Sequence, residues 1–472
     1  MVGGGNDRSH DRARKRTVRE RGRSVGSRKV EDAPVKTSGH AFSTSKSTVR
    51  AASVGAGRQA FSLAAQAWRQ PTIAATGMFA ASGAAFALGN LMLARVLSIE
   101  EFGRLALALA LFNITTLIAP VGIDQAVLRH PIDPGPRLLL FLLGTATMAA
   151  LAVAAGSLTA GGLRLDEATA LAVAIIAGSI VMQVAAVLRA AQQPFRSIAY
   201  ATVLSWSILL VGAGALLVPV RHSSTVLWLL AIVNLASAAM GCHLLLTRHR
   251  VPEKHRVAID WREAVSLLGI AAVSTISIQL ERLVTPIVLD LRALATFSVL
   301  ASVAIFPFRL VTAGAGFALT PRLKAATNHR ERWALVRTEL RIVIPFLTIM
   351  SAGIIVAAPW LVRLLTRGLY DITVPLVVAA CINGSVKVVF AIIRAVLTGC
   401  GTAKQLSHLN LLNIAGLIAS IAGAAIGGRY GLVGILLGVS VGNLLAVMPA
   451  FRLARQSLRR SVYQGRPNTH VC

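Results

Sequence analysis

Residues 88–129 read LGNLMLARVLSIEEFGRLALALALFNITTLIAPVGIDQAVLR. An apolar run ends at Arg95, a short turn to Gly103 carries Glu100 and Glu101, and a second apolar run ends in Gly122-Ile123-Asp124. Neither run has the polar face that a helix on a water-exposed surface presents, so this hairpin reads as two helices inside a membrane. The rest of the chain agrees. Of its 472 residues, 55% are hydrophobic and only 14% charged, with a mean hydropathy of +0.67. Soluble domains run at about 45–50% apolar and about 25% charged residues. About 20 apolar residues cross a bilayer, and twelve apolar segments follow one another from residue 72. They span 72–94, 105–128, 138–161, 168–188, 198–220, 224–247, 264–289, 293–319, 342–362, 373–398, 406–427 and 430–451. Aromatic residues make up 5%, and the alternating pattern of a membrane β-barrel is absent. The expected fold is an all-α polytopic membrane protein with about twelve transmembrane helices.

Charge sets the orientation. There are 48 Lys+Arg against 19 Asp+Glu, a net +29. In a soluble chain such an excess points to nucleic acid; here the cations fall in tails and loops, which excludes nucleic acid as the expected partner. Residues 1–70 hold 15 Lys/Arg and 5 Asp/Glu with no apolar run long enough to pack, and such a segment is expected to be a disordered basic tail. Within it, residues 58–70 could form a basic amphipathic helix on anionic membrane lipid. With the N-terminus inside, the inner connections carry 17 basic residues and the outer ones 9, so both termini are expected in the cytoplasm. The divisions are 1–70 as the tail, 71–247 as a first six-helix bundle and 248–263 as a basic linker. A second six-helix bundle at 264–452 and a C-terminal tail at 453–472 complete the chain.

A faint internal repeat supports the two bundles. A shift of 192 residues lays 96–128 on 288–320 without a gap, matching Leu97 with Leu289, Gly122 with Gly314 and Ala126 with Ala318. Parallel repeats of this kind in transporters face each other across a central cavity.

The Arg95 turn, Glu100–Glu101, Phe102–Gly103 and Gly122 together resemble the first hairpin of the oligosaccharide flippases. These form the polysaccharide-exporter branch of the multidrug/oligosaccharidyl-lipid/polysaccharide exporter superfamily. The resemblance extends over about 72–455 by order and hydropathy. It implies a MATE-like pair of bundles in the inner (plasma) membrane. It further implies a transporter that flips a polyprenyl-diphosphate-linked oligosaccharide to the outer leaflet for cell-surface polysaccharide synthesis, alongside glycosyltransferases and a polysaccharide polymerase.

Such cargo needs a polar, cationic interior. An unpaired hydroxyl in an apolar medium costs roughly 2–7 kcal/mol, and a bare charge far more. Basic residues within spans are therefore expected to line the cavity. Arg309 follows Pro307 mid-helix in IFPFRLV, and Arg282 sits in the outer third of helix seven. Asn383, Lys387 and Arg394 share one face of helix ten. Arg95 either contacts substrate or caps helix one. Arg394 could equally anchor the inner boundary, and Arg282 could snorkel outward.

Three carboxylates are placed for ion coupling: Glu281, Asp290 and Asp124. Asp124 alternatively accepts from backbone or pairs with Arg129. Glu281 and Arg282 point about 100° apart on one helix and do not pair with each other.

Other classes lose support. There is no GxxxxGK[ST] and no HExxH or Cys/His cluster, so no metal, cofactor or catalytic residue is expected. Cys242, Cys381, Cys400 and Cys472 form no CxxC. Glu100–Glu101 could hold a metal in a glycosyltransferase or polymerase, but the outer loops are too short for an acceptor domain, and the pair reads as part of the turn. A cation-coupled drug or metabolite antiporter would want more carboxylates and fewer cations. A non-transporting scaffold acting through the basic tail is the remaining alternative.

Overall fold

The computed structural model describes residues 71–130, 132, 134–160, 162–218, 220–248, 260–326 and 328–459. The basic tail, with its expected surface helix at 58–70, lies outside them, as do most of the 248–263 linker and the last thirteen residues. The described residues contain helices and no strand.

The first half comprises α1 (Pro71–Val96), α2 (Ile99–Ile118), the single turn α3 (Ile123–Ala126), α4 (Pro136–Thr159) and α5 (Leu165–Ala190). The pair α6 (Pro194–Ala201) and α7 (Val203–Leu217) and then α8 (Ser223–Arg248) complete it. The second half comprises α9 (Trp261–Val288), α10 (Leu291–Leu300), α11 (Phe306–Ala325) and α12 (His329–Leu365), followed by α13 (Val374–Cys400), α14 (Ala403–Gly427) and α15 (Gly431–Arg459). Ten stretches are long and apolar enough to cross a membrane, and α6–α7, bent by 50°, make an eleventh. One of the ten, Lys404–Arg459, is two helices folded back on each other at Gly428–Tyr430. That makes twelve crossings among the described residues, as the hydropathy pattern leads one to expect.

The 192-residue repeat is visible in the helix ends. α1 stops at Val96 and α9 at Val288; α2 starts at Ile99 and α10 at Leu291. The caps correspond too. Ser98 accepts from the Glu101 amide at 3.3 Å, and Asp290 accepts from the Ala293 amide at 2.6 Å; each satisfies an orphan N–H of a first turn. Glu100 and Arg292, again 192 apart, then pair with each other at 2.9 Å. Equivalent positions of the two halves therefore meet where α2 and α10 begin. Beneath them Phe102, Leu105, Phe297 and Leu300 join one buried cluster that draws on both halves.

Glu101 turns the other way, into the first half. It accepts from Arg104 at 2.7 Å, from Arg164 at 2.9 Å and from the Ser223 amide at 2.9 Å, tying α2 to α5 and α8. Both carboxylates of the first turn are thus engaged in holding helices together.

Local chemistry moves several expected boundaries. α2 ends at Ile118, ten residues before the apolar run does, because Pro120 follows and Val121 and Gly122 take left-handed backbone. A Cβ at Gly122 would collide with the Ala264 carbonyl of α9, so this turn sits hard against the second half. The basic stretch expected as a connection at 322–341 is largely helix. Asn328 caps α12 through the Glu331 amide at 2.8 Å, and Arg330, Arg332, Arg337 and Arg341 ride on its first turns. Pro307 does not break its helix; a wider turn at Ala301–Ile305 precedes it and absorbs the clash that the proline ring would make with the preceding turn.

α14 and α15 approach most closely through glycine. A Cβ on Gly438 would strike the Gly423 carbonyl, and one on Gly423 the Gly438 carbonyl. Gly438→Leu should force the two helices apart and lower stability by about 1–3 kcal/mol. Gly156→Ala, on exposed α4 with nothing within 4 Å, should not lower it and should raise it by up to about 1 kcal/mol. Thermal unfolding of the two purified variants in the same detergent checks both.

Candidate functional site

Between the halves lies a cavity of about 590 Å³. The first half contributes Phe86, Asn113, Tyr200 and Asn234, and the second half Gln279, Phe306, Arg282 and Arg309. A second cavity of about 280 Å³ lies within the second half, lined by Ser274, Ser277, Lys387, Arg394, Asn413 and Asn443, and also by Arg309. Arg309 is the partition between the two. Four basic residues singled out from the sequence, Arg282, Arg309, Lys387 and Arg394, therefore converge on one connected region from α9, α11 and α13.

Their partners differ. Lys387 forms an ion pair with Glu281, whose side chain is 2% exposed. Arg394 donates to Ser274 Oγ at 2.9 Å, and among the described residues Arg309 reaches only the Ile278 carbonyl, at 3.4 Å. Arg282 is the extreme case. It is 4% exposed, donates to Gln279 Oε1 at 3.3 Å, lies 5.9 Å over the Phe86 ring, and its buried Nε has no hydrogen-bond partner among the described residues. Glu281, one residue away, faces Lys387, as the 100° offset requires. Burying a charge costs several kcal/mol. A long hydrogen bond of about 1 kcal/mol and a cation–π contact of about 0.5–2 kcal/mol do not offset that. The arrangement is suited to receive an anion.

The other expected residues sit elsewhere. Asn383 lines neither cavity. Its Nδ2 donates to the Leu436 carbonyl at 3.3 Å, so it joins α13 to α15. Arg95 also lines neither, and sits one residue before the end of α1. Asp290 is the exposed cap of α10. Asp124 is buried beside a third cavity, and its suggested partner Arg129 instead donates to Glu263 at 3.0 Å. Glu281 is not open to an incoming ion in this state, because the Lys387 ammonium already occupies it. Among the described residues no group of three or more His, Cys, Asp or Glu could hold a metal.

The lining also holds neutral polar residues that are not among the expected site residues: Asn113, Asn234, Asn413, Asn443 and Gln279. Each stands inside an apolar run, which is the sequence signal for them.

With the geometry in hand, the sequence profile of the polysaccharide biosynthesis protein family matches residues 92–375. The chain belongs to that family. No curated protein sequence matches it. Its fold is similar to that of the lipid II flippase MurJ in an inward closed conformation, at TM-score 0.62 and 12% identity over 83% of this chain and 88% of that one. An inward-facing multidrug-resistance MATE transporter of the MOP superfamily gives TM-score 0.59 and 15% identity, over 80% of this chain and 94% of that one. A MOP superfamily transporter from Pyrococcus furiosus gives 0.50 and 14%, over 82% and 96%. The family and the MATE-like fold implied by the 88–129 hairpin are thereby borne out, and the chain is a multi-pass membrane protein of the polysaccharide biosynthesis protein family.

The Glu281–Lys387 pair generates a test of its own. Glu281→Gln leaves the Lys387 ammonium buried and unpaired and should cost about 3–5 kcal/mol. Adding Lys387→Met to it should restore most of the loss. Denaturant unfolding of the two singles and the double, read as a double-mutant cycle, gives the coupling.

Proposed function

We propose that the protein is a flippase that carries a polyprenyl-diphosphate-linked oligosaccharide from the cytoplasmic to the outer leaflet of the plasma membrane by alternating access. The observation that carries this is the buried Arg282 guanidinium, under-satisfied by protein and lining the central cavity with Arg309. A diphosphate supplies the missing acceptors, and the planar fork of arginine suits its oxygens.

The lining separates the sugar-bearing parts from the apolar tail. Asn113, Asn234, Gln279 and Tyr200 offer hydrogen-bonding groups for sugar hydroxyls that would otherwise be desolvated unpaired. Phe79 of α1 and Leu310 of α11 line the same cavity while 39% and 37% exposed, so a polyprenyl chain could stay in the bilayer between these helices as its headgroup enters. Lys387 and Arg394 line the adjoining cavity and extend the positive field past Arg309.

The excess of basic residues after α3 (Arg129) and at the ends of α5 (Arg189) and α11 (Arg322, Lys324) favours placing that side, and both termini, in the cytoplasm. The Ser98/Asp290 end then faces outward. An interior-negative potential would assist export of the anion by about 2.3 kcal/mol per charge per 100 mV crossed. A drug or metabolite antiporter is less well supported, because among the described residues no carboxylate lines the central cavity or the cavity within the second half.

The test is mass spectrometry of lipid-linked sugars in cells lacking the protein. An intact polyprenyl-diphosphate repeat unit should accumulate, and the wild-type chain should clear it. Arg282→Gln should slow clearance by about 10–100-fold, the worth of one charge-assisted hydrogen bond at about 1.5–3 kcal/mol, and Arg309→Ala with Lys387→Ala should abolish it. Unchanged lipid-linked sugars with a soluble compound building up inside the cell would favour the antiporter.

A further inference from the structure

The first turns of α12 carry cations that line neither the central cavity nor the one within the second half. At about 100° per residue, Arg330, Trp333, Arg337 and Arg341 fall on one face of this helix. Glu331 and Glu339 fall about 115° and about 165° from its centre by the same rotation. Arg330, Arg337 and Arg341 are exposed, and their guanidinium groups form no ion pair among the described residues.

A groove of about 360 Å³ runs along this face. Val336, Leu340 and Ile344 form one of its ridges and Trp333, Arg337 and Arg341 the next, each at four-residue spacing. Pro345 continues the second ridge toward the middle of the helix. The buried side of α12, with Val336, Val343 and Leu347, packs against the rest of the second half, so the groove is fixed to the scaffold.

Helix length sets its depth. The uncharged stretch from Ile342 to Val362 is about 31 Å long at about 1.5 Å per residue, which matches the roughly 30 Å of a hydrocarbon core. Just past one end of it, Arg363 and Asp371 form an exposed ion pair. Arg341 then stands at the other hydrocarbon boundary, and Arg337 lies about 6 Å beyond it, at the level of lipid headgroups. Ile344 and Pro345 reach into the hydrocarbon. Trp333 is 38% exposed and Ile344 56%.

We infer that this face of α12 binds an anionic phospholipid of the inner leaflet. Arg337 and Arg341 hold the headgroup phosphate, and the acyl chains run past Leu340 and Ile344 into the bilayer. The planar fork of arginine matches phosphate oxygens, and basic side chains at this depth are attracted to anionic lipid. A second copy of the chain fits less well, because a symmetric contact would set Arg330, Arg337 and Arg341 against themselves. The inner leaflet follows from the orientation given above, and the site does not depend on the identity of the cargo.

The test uses the full chain in detergent micelles, without any sugar lipid. It is titrated with phosphatidylglycerol or with phosphatidylcholine, both carrying the same brominated acyl chains. Bromine quenches nearby tryptophan, and subtracting a Trp333→Phe titration in each background isolates Trp333. Its quenching should saturate, with phosphatidylglycerol binding at least about tenfold more tightly than phosphatidylcholine. In Arg337→Gln with Arg341→Gln that preference should fall below about threefold. Arg452→Gln with Arg455→Gln removes two exposed charges from α15 instead and should leave the preference unchanged, which controls for net charge and for the basic tail. Equal affinity for the two lipids, a preference untouched by the α12 pair, or one weakened as much by the α15 pair overturns the proposal. So does tighter binding of a polyprenyl diphosphate at Trp333, which would assign the groove to cargo. Trp333 emission that follows protein concentration in place of lipid would assign it to a second copy, with the same consequence.

Discussion

A guanidinium buried between membrane helices, with one nitrogen unpartnered, is the constraint on which the rest of this structure turns. The chain places Arg282 where it is costly and supplies in return a long amide contact, an aromatic face and the field of a Glu281 carboxylate already paired with Lys387. Nearby it behaves differently. Lys387 is ion-paired with Glu281 while it lines the adjoining cavity. The contrast between these two residues, both within the second half, separates a cation with a carboxylate partner from one whose guanidinium is left under-satisfied.

The second organising element is the pairing of equivalent positions at the start of α2 and α10. Glu100 and Arg292 are related by the 192-residue repeat and reach each other at 2.9 Å. The pair is exposed and contributes little by itself. Its geometry matters more. It locates the axis about which the halves are related, and the central cavity opens between them. The opposite end of α2 has no such match, because the Pro120 break diverts the chain into the Val121–Gly122 turn and against α9. One helix thus touches the second half at both ends through unlike contacts, which is what a two-gated transporter needs.

Much of this was legible in the sequence. Twelve apolar runs gave the crossings, and the weak Leu97–Leu289 and Gly122–Gly314 matches gave a register that the helix ends at 96/288 and 99/291 reproduce. Membrane-embedded cations led directly to Arg282, Arg309, Lys387 and Arg394, because their energetic cost makes each conspicuous. What stayed hidden depended on partners distant in sequence. Glu281 and Lys387 are 106 residues apart, and no local pattern links them. Asn383 shares the helical face of Lys387, but a neighbouring helix, α15, takes its amide before the cavity begins. Arg330 to Arg341 read as a loop by charge, yet Asn328 and Glu331 nucleate a helix there. Asp290 read as an ion site and is a cap, since a carboxylate three residues before an amide of a first turn finds that amide first.

The measurement that bears most directly on the central claim is equilibrium binding of two lipids that differ only in the linker to the sugar. One is a polyprenyl-diphosphate-linked sugar and the other the same sugar joined to the prenol without phosphate. Both are titrated into the purified protein in nanodiscs. The account predicts that the diphosphate form binds at least about tenfold more tightly, equivalent to about 1.4 kcal/mol. The advantage should shrink with added salt and be lost in Arg282→Gln. Equal affinity for the two lipids, or an advantage untouched by Arg282→Gln, would contradict it.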